Sequence, residues 1–195
     1  NPNYYPNVNW YEEGTRNFSE NNQFNVMMRG GGKRVRYMAL LDYKNKFGLL
    51  NEDYTHYSDR YNSQIRTYEL GLRMNLDVDI TSSTQMKFGL YGIIGEDKRP
   101  NTAINTIFQN FYKVPAAAFP VKTLNDNWGS NTLFKMNPIA AIADVGYVQE
   151  NRRMLETDMR ITQDFSMFLK GLSAEVAVAY DNTATFQDIG SKTYK

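Results

Sequence analysis

The stretch that decides the fold is YELGLRMNLDVDI, residues 68–80. Its even positions are all apolar: Tyr68, Leu70, Leu72, Met74, Leu76, Val78 and Ile80. Its odd positions are Glu69, Gly71, Arg73, Asn75, Asp77 and Asp79. Side chains along a strand point alternately to opposite faces, so a period of 2 separates an apolar face from a polar one. As a helix the same residues would put Arg73 and Asp77 on the face of Leu70 and Met74, and no apolar stripe would survive. The stretch is a strand, and its two faces meet different media. Strands of soluble proteins run to about 5–6 residues. Thirteen residues at about 3.4 Å each reach roughly 43 Å. Tilted by about 40°, that length covers an apolar band about 25 Å tall, and a membrane-crossing strand takes only about 9–11 residues.

Outward from this stretch the alternation recurs. Strands are predicted at 22–29, 34–47, 61–80, 85–96, 152–165 and 172–182. The second sets Val35, Tyr37, Ala39, Leu41 and Tyr43 against Arg36, Asp42, Lys44 and Lys46. The fifth sets Leu155, Met159 and Ile161 against Glu156, Asp158 and Arg160, and the sixth sets Val176, Val178 and Tyr180 against Glu175 and Asp181. The connections alternate too. Those at 30–33, 81–84 and 166–171 are short, whereas those at 48–60 and 97–151 are long. Short turns at one end and long loops at the other are the layout of an outer-membrane barrel with its short side in the periplasm. On that reading residues 1–21 are an outer loop segment, and the piece ends on strands and the start of the next outer loop, 152–195.

Composition narrows the class. Lys plus Arg is 22 and Asp plus Glu is 21, a net charge of +1, so no basic surplus points to nucleic acid. With no cysteine there is neither a disulfide framework nor a thiolate metal site. The single histidine, His56, rules out an imidazole cluster or triad, and no nucleophile–base pair is legible, so no enzyme, cofactor or metal is expected. No run of about 18 apolar residues exists, which excludes a spanning helix but not a barrel, whose strands are half polar. The chain opens on NPNYYPNVNW rather than on Met or a signal peptide, and it reads as an excised or processed piece.

A loop as long as 97–151 is uncommon in a compact fold and is usually functional. Ile104, Ile107, Phe108, Phe111 and Tyr112 recur at helical spacing, predicting a helix over 102–113 that Pro115 stops. A second short helix is predicted over 138–145, with Asn137 as N-cap, Pro138 at its first position and Gly146 after its end. Single-chain outer-membrane barrels have about 8 strands or more, whereas six leave two unpaired edges that lipid does not tolerate. The six are therefore expected to be one arc of a larger barrel.

Six segments, in order, resemble the SusC/RagA family of TonB-dependent outer-membrane transporters. VNWYEE (8–13) is similar to an Asp/Asn-Trp-acid segment before an early strand. FNVMMRGGGKRVRYMALLDYKNKFGLL (24–50) resembles a strand, a glycine turn and a "VRY" strand ending in Asn-x-x-Gly-Leu. LRMNLDVDIT (72–81) resembles an Arg-x-Asn-x-Asp strand. VPAAAFPVK (114–122) and NPIAAIADVGY (137–147) resemble two segments of the first large loop, and KGLSAEVAVAYDN (170–182) a Lys-Gly-Leu strand opening. The resemblance implies an all-β, antiparallel transmembrane barrel of about 22 strands with a plugged lumen, of which this chain supplies six strands and one large outer loop carrying short helices. It implies import of oligosaccharides or peptides through the bacterial outer membrane, energised by TonB through a region outside this chain. A SusD-like surface lipoprotein would serve as lid.

Under that reading Arg36, Asp42, Glu69, Arg73, Asn75, Asp77, Asp79, Glu156, Asp158 and Arg160 face the lumen, where they bond the plug and each other or touch solute. The solute-contact candidates are Trp128, Tyr112, Phe119 and Asn127, in and beside the loop segments 115–122 and 125–131. Trp128 has two open roles, stacking on a sugar ring or anchoring its loop. Two other readings stand beside the transporter: a soluble all-β surface glycan-binding module, and a small outer-membrane barrel with no transport role. What covers the apolar faces separates them.

Overall fold

The computed structural model describes residues 6–193. Six antiparallel strands form one sheet in sequence order: β1 (Asn21–Gly31), β2 (Val35–Phe47), β3 (Arg66–Asp79), β4 (Thr84–Pro100), β5 (Gly146–Asp164) and β6 (Ser173–Ser191). The sheet is not closed, and β1 and β6 are its two edges. Four short helices accompany it: α1 (Trp10–Gly14), α2 (Glu52–Thr55), α3 (Ile104–Lys113) and α4 (Ala140–Ala143). No helix among the described residues is long and apolar enough to cross a membrane.

Tight turns close one end of the sheet. Gly32 N–H donates to Val35 O at 2.7 Å between β1 and β2. The Thr81 hydroxyl donates to Thr84 Oγ1 at 2.7 Å between β3 and β4. Between β5 and β6, Phe165 N–H meets Leu172 O at 2.9 Å across a turn that Gly171 completes with φ 84°. At the other end the segments 6–20, 48–65 and 101–145 fold together into a cap. Its core is Trp10, Leu50, Ile107, Phe111, Val114, Phe119, Trp128, Ile139, Ala140, Ile142 and Ala143. Every one of these lies outside the strands, so the buried apolar core of this chain is in the cap, not under the sheet.

The strands are longer than the alternation suggested. β4 and β5 continue their pairing through Lys98–Gln149, Arg99–Val148 and Pro100–Tyr147, so the loop expected at 97–151 spans only 101–145. β6 likewise runs to Ser191 rather than 182, still paired with β5 at Gly146. The reason is physical: near the cap both faces carry polar residues, so the ladder goes on after the two-residue period has faded. β1 gains a residue or two at each end, and β2 starts at Val35. β3 begins at Arg66 instead of 61, because the preceding residues belong to the cap. Ser63 donates to Ile142 O at 2.8 Å, and Gln64 Nε2 donates to Leu50 O at 2.9 Å, both from buried positions.

The helices also shift. α3 starts at Ile104, two residues later than expected, and α4 is one turn. Asn137 does cap that turn, its Oδ1 accepting from Ile139 N–H at 2.9 Å and Ala140 N–H at 3.2 Å. Gly146, however, opens β5 instead of ending the helix. It sits at φ +91°, and a Cβ there would lie 1.9 Å from Gly190 O, so only glycine fits. α1 and α2 were not anticipated, although each has a sequence signal: Asn9 and Asn51 as side-chain caps, followed by acidic residues in the first turn. Residues 1–5 of the expected leading segment, and 194–195, lie outside the described residues.

Candidate functional site

Directly paired residues of antiparallel strands share a face. Followed across the register, that rule puts all ten polar candidates on one side of the sheet. Arg36 pairs with Asp77, Asp42 with Gly71, and Asn75 with Gly89, which pairs with Asp158. Arg73 reaches Glu156 through Tyr91, Asp77 reaches Arg160 through Lys87, and Glu69 reaches Arg152 through Gly95. Asp79 follows by strand alternation from Asp77.

These side chains bond one another across the strands. Arg36 grips Asp79 through both terminal nitrogens at 3.0 and 3.3 Å, and Gln85 Nε2 adds a donor at 3.0 Å. Glu69 accepts from Lys44 at 3.1 Å and from Arg152 at 3.0 Å, and Asp42 lies 3.8 Å from the same lysine. Arg73 lies over the Tyr91 ring, 4.8 Å from its centroid. Arg160 pairs with Glu175 at 3.4 Å. Lys44 and Glu175, read on the polar faces but not among the ten candidates, join them here, and Arg152 is a member that sequence reading missed although its parity signals it. The result is a wettable, charge-balanced surface with no group of His, Cys, Asp or Glu able to hold a metal among the described residues.

The opposite face is an apolar band. Its rows read, from β1 to β6, Val26–Leu41–Leu72–Gly92–Leu155–Asn182, then Met28–Ala39–Met74–Leu90–Thr157–Tyr180, then Gly30–Tyr37–Leu76–Phe88–Met159–Val178. Many of these side chains are exposed, with nothing laid over them. The edge of the band nearest the cap runs obliquely to the rows. Tyr68 ends the apolar run of β3 and pairs with Glu96; Ile94 ends that of β4 and pairs with Arg153; Leu155 ends that of β5 and pairs with Asn182. From β3 to β5 each strand loses its apolar side one row lower than the one before, whereas β1 and β2 end theirs together, at Phe24 and Tyr43 in the Leu70 row.

The four solute-contact candidates do not come together. Trp128 is 7 % exposed and Phe119 5 %, both inside the cap core. Trp128 donates from Nε1 to Asp144 Oδ2 at 3.2 Å, stands 5.2 Å from the Tyr57 ring, and carries the Lys122 ammonium 3.9 Å from its ring centroid. Its burial and its engaged donor suit the anchoring one of its two roles. Phe119 packs on Trp10 at 5.4 Å. Tyr112, by contrast, is 77 % exposed beside Tyr11, and Asn127 is exposed in the turn where Thr123 N–H donates to its backbone oxygen at 2.8 Å. Aromatic residues of a loop look like ligand contacts until the loop has a core of its own.

The cap is held to the sheet by partly buried polar ties. Tyr61 donates to Ala143 O at 3.4 Å and accepts from Gly146 N–H at 3.1 Å. Lys192, just past β6, is paired with Asp144, and this contact holds its ammonium above the ordinary lysine pKa. Within the cap the Tyr54 hydroxyl donates to the Glu13 carboxylate, and burial followed by that carboxylate pushes the phenol well above the ordinary tyrosine value. Compared with protein-family models, curated proteins and solved structures, the chain returns no match.

Proposed function

We propose that this chain is an arc of a TonB-dependent outer-membrane transporter of the SusC/RagA kind, importing oligosaccharides or peptides beneath a SusD-like lipoprotein. The observation that carries the reading is the two-faced sheet: a bonded polar surface on one side, and on the other an uncovered apolar band with an oblique edge. Apolar patches of this extent on a protein in water mark an interface. Lipid is the partner that suits an apolar face left uncovered by protein, and the polar face then lines an aqueous lumen. The two open edges match strands supplied by the rest of a barrel. The folded cap at the long-loop end is the part that would meet solute and lid, with the exposed Tyr112 and Asn127 as its remaining contact candidates.

A soluble sandwich would need a second sheet over the apolar face. Cysteine scanning of β3 separates the two. In the full-length protein in outer membranes, cysteine at Asn75 or Asp77 reacts with a water-soluble maleimide once the plug is loosened by urea. Cysteine at Leu72, Met74 or Leu76 does not. Equal labelling of both sets, or recovery of the protein in the soluble fraction, overturns the membrane reading. Loss of glycan or peptide uptake on deletion of the protein tests the transport reading separately.

A further inference from the structure

The apolar face is not smooth. At its cap-side edge lies a hollow of about 400 Å³, floored by Leu41, Leu72, Leu90 and Leu155 around Gly92 and rimmed by Arg153 and Asn182. That volume is within the range of small-molecule sites, roughly 300–1,000 Å³. The hollow exists because residue 92 has no side chain. Nothing else in the structure asks for glycine there: a Cβ would meet only Met154 O at 3.7 Å and Leu155 Cδ1 at 4.0 Å, ordinary contacts, and the backbone is not left-handed. Gly89 on the other face differs, since the Asp158 carboxylate fills the space above it. A glycine inside a strand often marks close approach of a ligand.

Arg153 supplies the second observation. It shares the Ile94 row on the apolar face, yet none of the ion pairs among the described residues includes it. Its nearest aromatic partner is the Phe186 ring at 6.0 Å, a weak contact. Glu96, in the next row of the neighbouring strand, accepts from Gln149 Nε2 at 3.0 Å and forms no ion pair with Arg153. A cation without a counter-ion therefore stands at the mouth of an apolar hollow, at the level where the band gives way to polar residues.

Resting on the membrane reading above, we propose that this hollow is a binding site for an anionic membrane lipid: an acyl chain lies in the Gly92 hollow and the lipid phosphate is held by Arg153, with Asn182 as a polar neighbour. Chain and head group meet the two halves of the site in the order in which a bilayer presents them. Guanidinium suits the role because it offers a fork of donors to phosphate oxygens.

The test uses full-length protein purified from outer membranes, delipidated in detergent and titrated in native mass spectrometry with phosphatidylglycerol and with diacylglycerol of the same chains. Arg153→Gln is expected to weaken phosphatidylglycerol about tenfold, as loss of one charge-assisted contact does. Arg153→Lys recovers part of that affinity. Gly92→Leu fills the hollow and removes binding of both lipids, and Gly92→Ala, whose Cβ fits, does so partially if the leucine variant fails to assemble. Equal affinity of the parent and all variants overturns the site. Diacylglycerol binding as tightly as phosphatidylglycerol overturns the role of Arg153. Should the protein not be in the membrane at all, it is the barrel reading that has failed, which the fractionation step shows before any lipid is added.

Discussion

The cap and the sheet treat apolar side chains in opposite ways. In the cap, Leu50, Ile107, Ile139 and Ile142 are sealed from solvent, and polar groups such as Ser63, Gln64 and Asn137 are buried with their hydrogen bonds made. That is how a protein folds in water. In the sheet, the apolar residues Val26, Met28, Tyr37, Met74 and Val178 are exposed, while the polar side chains bond one another across the strands. One part carries its own core; the other waits for a partner to cover it. The difference teaches that the strands and the cap are stabilised by different surroundings, so each can be weakened without the other.

The largest effect is expected from opening the cap core. Ile139 is fully buried in the 101–145 segment beside the N-terminal helix, its Cδ1 lying 3.3 Å from the place a Cβ on Gly14 would take. Ile139→Ala should cost about 2–5 kcal/mol of local stability. Hydrogen exchange of the full-length protein should rise across 8–14, 50–65 and 104–143, with β2 to β5 unchanged. Exchange rising equally in the strands would erase the distinction between the two parts.

The reverse experiment places a charge on the apolar face. Met74 lies in the third of the rows counted from Leu70, in the interior of the band. If lipid covers it, Met74→Arg should cost about 2–4 kcal/mol, whereas Asn75→Arg, one residue away on the polar face, should cost far less. Urea unfolding in lipid vesicles reads both. A near-equal cost would mean that the two faces do not meet different media.

How much of this was legible differs between the parts for the same reason. A period of 2 is written into a strand only where its faces meet different surroundings, so β3 could be read over most of its length. The upper ends of β4 and β5 could not, because Asp97, Lys98, Gln149 and Glu150 are polar on both sides. The ten polar candidates share one face because parity is a local property. In the cap, local signals gave α3 and the Asn137 cap, and the same signal at Asn9 and Asn51 went unused. What no local pattern gives is that three segments far apart in the chain share one core. Trp128 and Phe119 stand as contact candidates in the sequence, Trp128 with anchoring as its other open role, because the partners that bury them, Asp144 and Trp10, are not their neighbours in sequence.

A smaller effect tests that point. Trp128→Phe keeps the ring in the core and removes the donor to Asp144. The loss should be about 1 kcal/mol, the net worth of one hydrogen bond, since Lys192 still pairs with the carboxylate. Hydrogen exchange at 128–146 measures it. If the full-length protein is the transporter proposed above, its solute affinity should stay unchanged, whereas a large loss of affinity would favour Trp128 as a contact residue.

The smallest effect is a dependence on alkaline pH confined to the cap. Tyr54 is neutral in the folded cap because burial, and then the Glu13 carboxylate beside its hydroxyl, disfavour the phenolate. A group whose folded pKa is raised contributes stability that is complete below its unfolded pKa, about 10 for tyrosine, and is lost as the pH climbs through the higher folded value. Exchange in α1 and α2 should therefore accelerate above about pH 10 while the strands hold. Lys192, also raised, would loosen a different place, the tie to Asp144, so the two transitions appear in different peptides. Tyr54→Phe should abolish the step in α1 and α2 and leave the one at Asp144. If the step in α1 and α2 survives that substitution, Tyr54 is not the group that joins the two short helices to each other.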